Sequence, residues 1–261
     1  RIFTDETMKK HTTFRVGGPA DILVQPKGTE LAAVIRLCRK YDVPYQVIGN
    51  GSNLLVGDRG IRGLVIEMLS KEDEICVEDD CITVGAGMLL SKTANRAAEH
   101  GLTGMESAAG IPGSICGAVV MNAGAYGGEM KDILTAVTVL DQEGNEKILS
   151  AEELELGYRT SCILKKGYIV TGAKIKLKHW EETAIRARMD ELKKQRVEKQ
   201  PLEFPSAGST FKRPEGYFAG KLIMDAGLRG YQVGEAQVSE KHCGFVFNRG
   251  NATAADVRTL M

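Results

Sequence analysis

The residues whose types and spacing most directly point to chemistry are glycines: Gly49 and Gly51 in the run GNGSN, and Gly110, Gly113 and Gly117 in GIPGSICGAVVMNAGAYG. Glycine weakens a helix interior and adds nothing to a core strand. Such runs belong where backbone turns sharply or lies close against a flat or charged group. In GNGSN, consecutive backbone N–H groups can form a concave nest for an anion, with Ser52 and Asn53 adding side-chain donors; a diphosphate would suit it. The second run offers a complementary surface. Its glycines let backbone approach a planar group, and Pro112 stiffens the turn. A third loop, Gly85–Gly87, competes with both. None is a P-loop, since no glycine is followed at the right spacing by Gly-Lys-Ser/Thr, and none completes GxGxxG, which disfavours a Rossmann fold. Taken singly, each loop reads more readily as a structural turn than as a site.

The elements that must position these loops follow from periodicity. DILVQP reads as a strand, TELAAVIRLCRKYD as an amphipathic helix with Thr29 at its N-cap, and PYQVIG as a returning strand. GNGSN then runs into further strand, and KEDE (Lys71–Glu74) marks a charged boundary. Hairpins are predicted across Glu78–Asp80 and Glu143–Asn145, with a helix over MLLSKTANRAAEHGL between them. EELELGYRTS reads as a short helix entering a loop and YIVTGAKIKLKHW as a long strand. EETAIRARMDELKKQRVEKQ is a helix with Ile185, Met189 and Leu192 on one face. Beyond Pro201 the chain becomes turn-rich, followed by the helix AGKLIMDAGL and more strand. The fold class is α+β. The expected divisions are 1–70, 71–200 and 201–261.

The 261 residues can bury a sizeable core, and 34 basic against 34 acidic residues give no global charge that argues for nucleic acid or a membrane surface. No apolar run approaches membrane-spanning length. Six scattered cysteines without CxxC spacing read as reduced and mostly buried in a cytosolic protein, with no metal expected. The cysteines and the lone Trp180 are assigned to packing. The chain starts at Arg1 and stops inside the helix-like TAADVRTLM, so residues are expected beyond both ends.

Six blocks in order, TTFRVGGPAD, VIGNGSNLLVGDRGIRGLVI, GIPGSICGAVVMNAGAYG, GYRTSCI, PSAGSTFKRP and AGKLI-DAGL-G, resemble the UDP-N-acetylenolpyruvoylglucosamine reductase family. These flavoenzymes belong to the vanillyl-alcohol-oxidase-like (PCMH-type) FAD-binding superfamily. The likeness runs from Thr12 to about Asn248; the first glycine blocks are shared across the superfamily, whereas GYRTS and PSAGSTFK point to the reductases. It implies an FAD-binding domain of two sub-domains and a C-terminal α+β substrate-binding domain. FAD contacts carry over to Gly49, Asn50, Gly51, Ser52, Asn53 and Leu54, and to Gly110, Ile111, Pro112, Gly113, Ser114, Gly117 and Asn122. The implied reaction uses NADPH to reduce FAD. Hydride then passes from flavin N5 to the enolpyruvyl C3 of a UDP-sugar, and a proton is added at C2, giving UDP-N-acetylmuramate for peptidoglycan synthesis.

By the same resemblance Arg159 matches the arginine that clamps the substrate carboxylate, a task suited to a permanently charged, two-pronged donor. Ser209 matches the proton donor. Without the resemblance the first would read as an exposed arginine at a helix end and the second as a turn serine. Lys199, Lys212, Arg213 and His242 are the candidates for the substrate diphosphate, Lys199 the best matched; Arg213 stands where family members carry asparagine. The family's third catalytic group, a glutamate beyond NATAADVRTLM, lies past the end of this sequence, and no glutamate from Glu215 to Glu240 fits its motif. The span from Arg159 to Ser209 leaves no room for the tyrosine-bearing loop of the longer class, so the compact class is expected. The expected protein is a cytoplasmic monomer with no nucleic-acid partner and no membrane insertion. Two other readings stand beside it: an FAD-linked oxidase or dehydrogenase of a small hydroxy acid, and a flavin- or nucleotide-binding module without turnover.

Overall fold

Alternating apolar residues between Ile75 and Lys176 build a five-stranded antiparallel sheet. In the computed structural model, which describes residues 1–69 and 75–261, its order is Glu146–Ser150, Leu134–Leu140, Ile169–Lys176, Cys81–Gly85, Ile75–Glu78. Ile82 and Val84, Val137 and Val139, and Ala173 and Ile175 enter one core with Leu90, Ala94 and Ala97 of the helix Leu90–Glu99 and Ile115, Ala118 and Val119 of the helix Ile115–Val120. Burying each branched side chain contributes roughly 1.5–3 kcal/mol.

Both expected hairpins form. Asp79 takes the left-handed conformation (φ 53°) at the first turn. At the second, Asp141 Oδ1 accepts from the amides of Glu143 (3.0 Å) and Asn145 (2.8 Å), and its Oδ2 pairs with Lys147 Nζ at 3.1 Å. The Asn145 amide, followed by Lys147, holds the Asp141 carboxyl below the usual aspartate range. A folded-state pKa below the unfolded one stabilises the protein above the ordinary aspartate range, and that stabilisation fades as pH falls through the folded value. An Asp141→Asn variant should therefore melt below the parent near neutrality. The gap measured by thermal unfolding should narrow from about pH 7 to about pH 3, as the parent's own carboxyl protonates.

The contacts divide the chain into two units, each discontinuous in sequence. The first contains Arg1, Val24–Asn50 and Ile66–Lys194; the second contains Ile2–Leu23, Gly51–Val65 and Gln195–Met261. The KEDE boundary, and with it the division expected at residue 70, lies outside the described residues. In the second unit a four-stranded antiparallel sheet runs Ser206–Ser209, Phe245–Asn248, Ala236–Val238, Gln232–Val233. Phe14, Val16, Ala236, Val246, Ala252, Ala254 and Val257 form its core. The helix Ala254–Leu260 opens with a capping box between Thr253 and Asp256, and Asp58 accepts from the amides of Ala254 and Ala255.

Several local expectations are corrected. Thr29 does not cap its helix: it is itself helical (φ −68°, ψ −14°), and the Glu30 carboxylate takes the Lys27 amide instead. The segment 151–155 forms turns rather than a helix. GIPGSICGAVVMNAGAYG contains a helix, Ile115–Val120, despite Gly117. Trp180 is 65% exposed, so packing does not account for it, and Cys76 is exposed while Cys38, Cys116, Cys162 and Cys243 are buried. On the helix Glu182–Lys199, Ile185 and Leu192 are buried and Met189 is half-buried.

Candidate active site

The two glycine runs meet within the first unit. A Cβ on Gly49 would lie 1.9 Å from Ser114 Oγ and 2.9 Å from Cys116 Sγ, so only glycine allows this approach. The Asn50 amide group donates to the Pro112 carbonyl at 2.6 Å. Ser114 and Cys116 are buried and hydrogen-bonded to each other (3.2 Å), and burial pushes the Cys116 thiol pKa up. Gly117 is different: a Cβ there would meet only Ser114 Oγ, at 3.9 Å. Protein packing does not explain that glycine, but a planar group lying against the helix would. Ile111 is half-buried and Pro112 exposed.

The rest of the first loop belongs to the second unit. Gly51 adopts φ +60° with its Cα against His11, and its carbonyl accepts from the Thr13 amide at 3.2 Å. Ser52 and Leu54 are half-buried and Asn53 is exposed. Among the described residues the Ser52 and Asn53 amides donate to no protein acceptor. Two neighbouring unpaired N–H groups held by a left-handed glycine fit the anion nest read from the sequence.

Arg159 lies in the first unit at the tip of a tight turn. Gly157 and Thr160 exchange backbone hydrogen bonds (3.1 and 3.3 Å) beneath it, and Arg159 itself is left-handed, φ 54°. A non-glycine residue there carries strain that its surroundings must offset. The half-buried guanidinium donates from Nη1 to Asn122 O (3.2 Å) and from Nη2 to Gly124 O (2.8 Å). Two of its five N–H groups are thus engaged by carbonyls. It forms no ion pair among the described residues.

Asn122 is fully buried. It is the left-handed residue (φ 40°) that ends the helix Ile115–Val120: its amide bonds Val119 O and the Ala123 amide bonds Ala118 O, a Schellman closure with asparagine where glycine is usual. Its side chain donates to Glu129 Oε2 and Gly157 O, both at 3.1 Å, and accepts from the Lys131 amide at 2.9 Å. Its polar atoms are therefore committed inside the protein. Glu129 pairs with Lys131 at 2.8 Å, and Lys131 first, with Asn122 and Arg159 adding, holds its carboxyl below the usual range. Glu129 and Lys131 escape a sequence reading, because nothing in NAGAYGGEMK marks a contact across a turn.

In the second unit Ser209 ends the strand Ser206–Ser209, opposite Phe245 and just past a bulge containing left-handed Gly208 (φ +78°). It is exposed, and its hydroxyl makes no protein hydrogen bond among the described residues. The turn at 242–245 lies beside it: Thr210 N donates to Gly244 O (2.8 Å), while His242 Nδ1 accepts from Gly244 N (3.1 Å). A neutral His242 must then carry its proton on Nε2 and can donate from there. Lys212 is exposed, Arg213 stacks on the Phe218 ring (4.4 Å), and exposed Lys199 ends the long helix. The structure thus groups Arg159 and Asn122 with the Gly110–Gly117 run in one unit. Ser209, Lys199, Lys212, Arg213 and His242 lie in the other.

Comparison with known proteins supplies the family. The model "FAD binding domain" matches residues 20–150, and "UDP-N-acetylenolpyruvoylglucosamine reductase, C-terminal domain" matches residues 200–261. A reductase of that name from Agathobacter rectalis is 58% identical, covering all of this chain and 87% of that protein. The chain belongs to the UDP-N-acetylenolpyruvoylglucosamine reductase family. A second such reductase, from Clostridium perfringens, is 55% identical over 98% of this chain and 84% of its own length. The crystal structure of the reductase (MurB) from Thermus caldophilus superposes with a TM-score of 0.86 at 42% identity, covering all of this chain and 92% of that one. A cholesterol oxidase from Brevibacterium sterolicum shares the fold alone, with TM-score 0.51 and 13% identity over 69% of this chain and 38% of that one. Both glycine runs fall inside the FAD-binding match. Family membership favours the reductase over the hydroxy-acid oxidase that the superfamily also allowed. Among the described residues no helix is long and apolar enough to cross a membrane.

Proposed function

We propose that this chain is an NADPH-dependent flavoenzyme that reduces the enolpyruvyl group of UDP-N-acetylglucosamine enolpyruvate to UDP-N-acetylmuramate for peptidoglycan synthesis. The observation that carries the reading is Arg159, held on two carbonyls and in no ion pair among the described residues, in a chain of this family. FAD fits the residues present: the unpaired amides of Ser52 and Asn53 suit its diphosphate, and the open face of Gly117 suits a flat group. When bound, FAD supplies the hydride that it takes from NADPH.

The chain's own residues do the rest. Hydride addition to an alkene bearing a carboxylate drives charge towards an enolate dianion. That charge must be stabilised where it develops. Arg159, with N–H groups to spare after its two carbonyl bonds, binds the carboxylate and stabilises the growing charge. Ser209 Oγ holds the proton for C2. An alcohol is a weak acid, but the dianion is basic enough to take its proton when the two are aligned. Lys199, Lys212, Arg213 and the Nε2–H of His242 are the donors for the diphosphate of the substrate. A nucleotide-sugar substrate and NADPH suit a cytoplasmic enzyme, and the expected oligomeric state is a monomer, which light scattering tests directly.

The test is spectroscopic. The protein loaded with FAD should bleach when NADPH is added anaerobically and recolour only when enolpyruvyl-UDP-N-acetylglucosamine follows. Failure to hold FAD would overturn the reading, as would recolouring by a small hydroxy-acid product in place of that substrate.

A further inference from the structure

We infer that Asn122 and Glu129 are positioning residues for Arg159, which they hold in its strained conformation with its outer N–H groups directed away from the protein. The inference rests on the role proposed above for Arg159.

Three observations converge on this pair. Asn122 touches the Arg159 turn twice: its carbonyl receives the guanidinium, and its amide group bonds the carbonyl of Gly157, two residues before the arginine. The left-handed backbone that aims that carbonyl is the helix closure at Asn122, so one residue sets both contacts. Glu129 then fixes the amide from behind, taking the second N–H while its own oxygen is tied to Lys131. The fourth polar contact, from the Lys131 amide to Asn122 Oδ1, settles which way the amide faces.

Charge placement supports the assignment. A carboxylate salt-bridged to Arg159 would compete with the substrate carboxylate for the same N–H groups. Here Glu129 acts through Asn122 and is paired with Lys131, so the N–H groups of the guanidinium beyond its two carbonyl bonds are left to a ligand. Glu129 thus anchors the arginine without neutralising it.

Asn122→Gly separates this role from folding, because glycine keeps the left-handed helix closure and removes only the amide. Each variant is loaded with FAD to the parent's occupancy, and its own rate of flavin reduction by NADPH serves as the internal reference for the second half of the cycle. Reoxidation of Asn122→Gly by the enolpyruvyl substrate should slow by roughly 10- to 100-fold, as for a reacting group displaced by about 1 Å. Glu129→Gln should show the same pattern, more weakly. Hydrogen exchange at the Thr160 amide, measured on the protein without substrate, should accelerate in Asn122→Gly, since the turn loses its tie.

Arg159→Lys provides the reference. If it slows reoxidation and Asn122→Gly does not, the positioning role is wrong and the role of Arg159 stands. If Arg159→Lys itself reoxidises at the parent rate, the role of Arg159 fails and the inference falls with it. The double variant decides the remaining case. Its loss should be close to that of Arg159→Lys alone, because both changes disable one unit. A double variant in which the two losses multiply would show that Asn122 acts elsewhere and overturn the assignment.

Discussion

A Ser209→Ala variant is expected to be reduced by NADPH at the parent rate while its reoxidation by the enolpyruvyl substrate slows by roughly 10²- to 10⁴-fold, the range for loss of a general acid. The position allows a clean test. Ser209 is exposed, its hydroxyl bonds no protein group among the described residues, and its strand is held by backbone pairing opposite Phe245. Removing one oxygen leaves that pairing and the bulge at Gly208 intact, so the melting temperature should move little. What disappears is the proton for C2. Because NADPH is consumed in an earlier, separate step that needs no proton at C2, the defect should sit in the second half of the cycle, where the charge built by hydride addition must be quenched at C2, and leave the first unaffected. Stopped-flow absorbance resolves the two halves. Parent-like reoxidation in Ser209→Ala would assign the proton to another donor.

The long-period features of the fold were legible because burial and periodicity agree there. The two hairpins and the helices at 90–99 and 182–199 carry apolar residues at spacings that only one secondary structure can bury. The helix at 115–120 was not legible. Its sequence, ICGAVV, argues against a helix at Gly117 and at two valines, yet Ile115, Ala118 and Val119 are buried, and the amides of Ile115 and Cys116 bond the carbonyls of Met88 and Ala86. Tertiary contact outweighs a propensity deficit of about 1 kcal/mol at the glycine and less at each valine. Thr29 fails as a cap because its own backbone is helical, and the turn before the helix is closed instead between Lys27 and Glu30, whose amide and carboxylate bond the Lys27 carbonyl and amide.

The site divided in the same way. Its glycine loops could be read from backbone requirements, and Gly49 and Gly51 turn out to be required by close approach and by φ. Arg159 and Ser209 could not be read from spacing at all, because each sits in a turn where an isolated arginine or serine is ordinary. Their tasks came from resemblance. Glu129 and Lys131 were invisible to both approaches, since they act through a buried asparagine whose partners only the folded chain brings together.

Gly51→Ala is expected to destabilise the protein by about 2–5 kcal/mol and to lower its affinity for FAD, whereas Gly57→Ala, six residues on, should do neither. At Gly51 the left-handed φ of +60° costs an L side chain about 1–2 kcal/mol by itself. A Cβ would also sit 1.9 Å from the His11 carbonyl oxygen, and a backbone atom cannot swing aside as a long side chain can. The loop or the His11 segment must therefore shift, and a shift of the loop moves the Ser52 and Asn53 amides off the positions that suit a diphosphate. At Gly57 a Cβ would meet nothing within 4 Å, and no left-handed conformation constrains it. Thermal unfolding should show a fall of roughly 5–15 °C for the first variant and almost none for the second. Flavin absorbance after gel filtration reports retention of the cofactor independently of turnover. Equal behaviour of the two variants would mean that Gly51 relaxes without disturbing its neighbours, and the first glycine loop would lose its claim to hold the diphosphate. A stable Gly51→Ala protein that has lost its flavin would instead place the whole effect in the loop, the outcome that ties this backbone conformation most directly to cofactor binding.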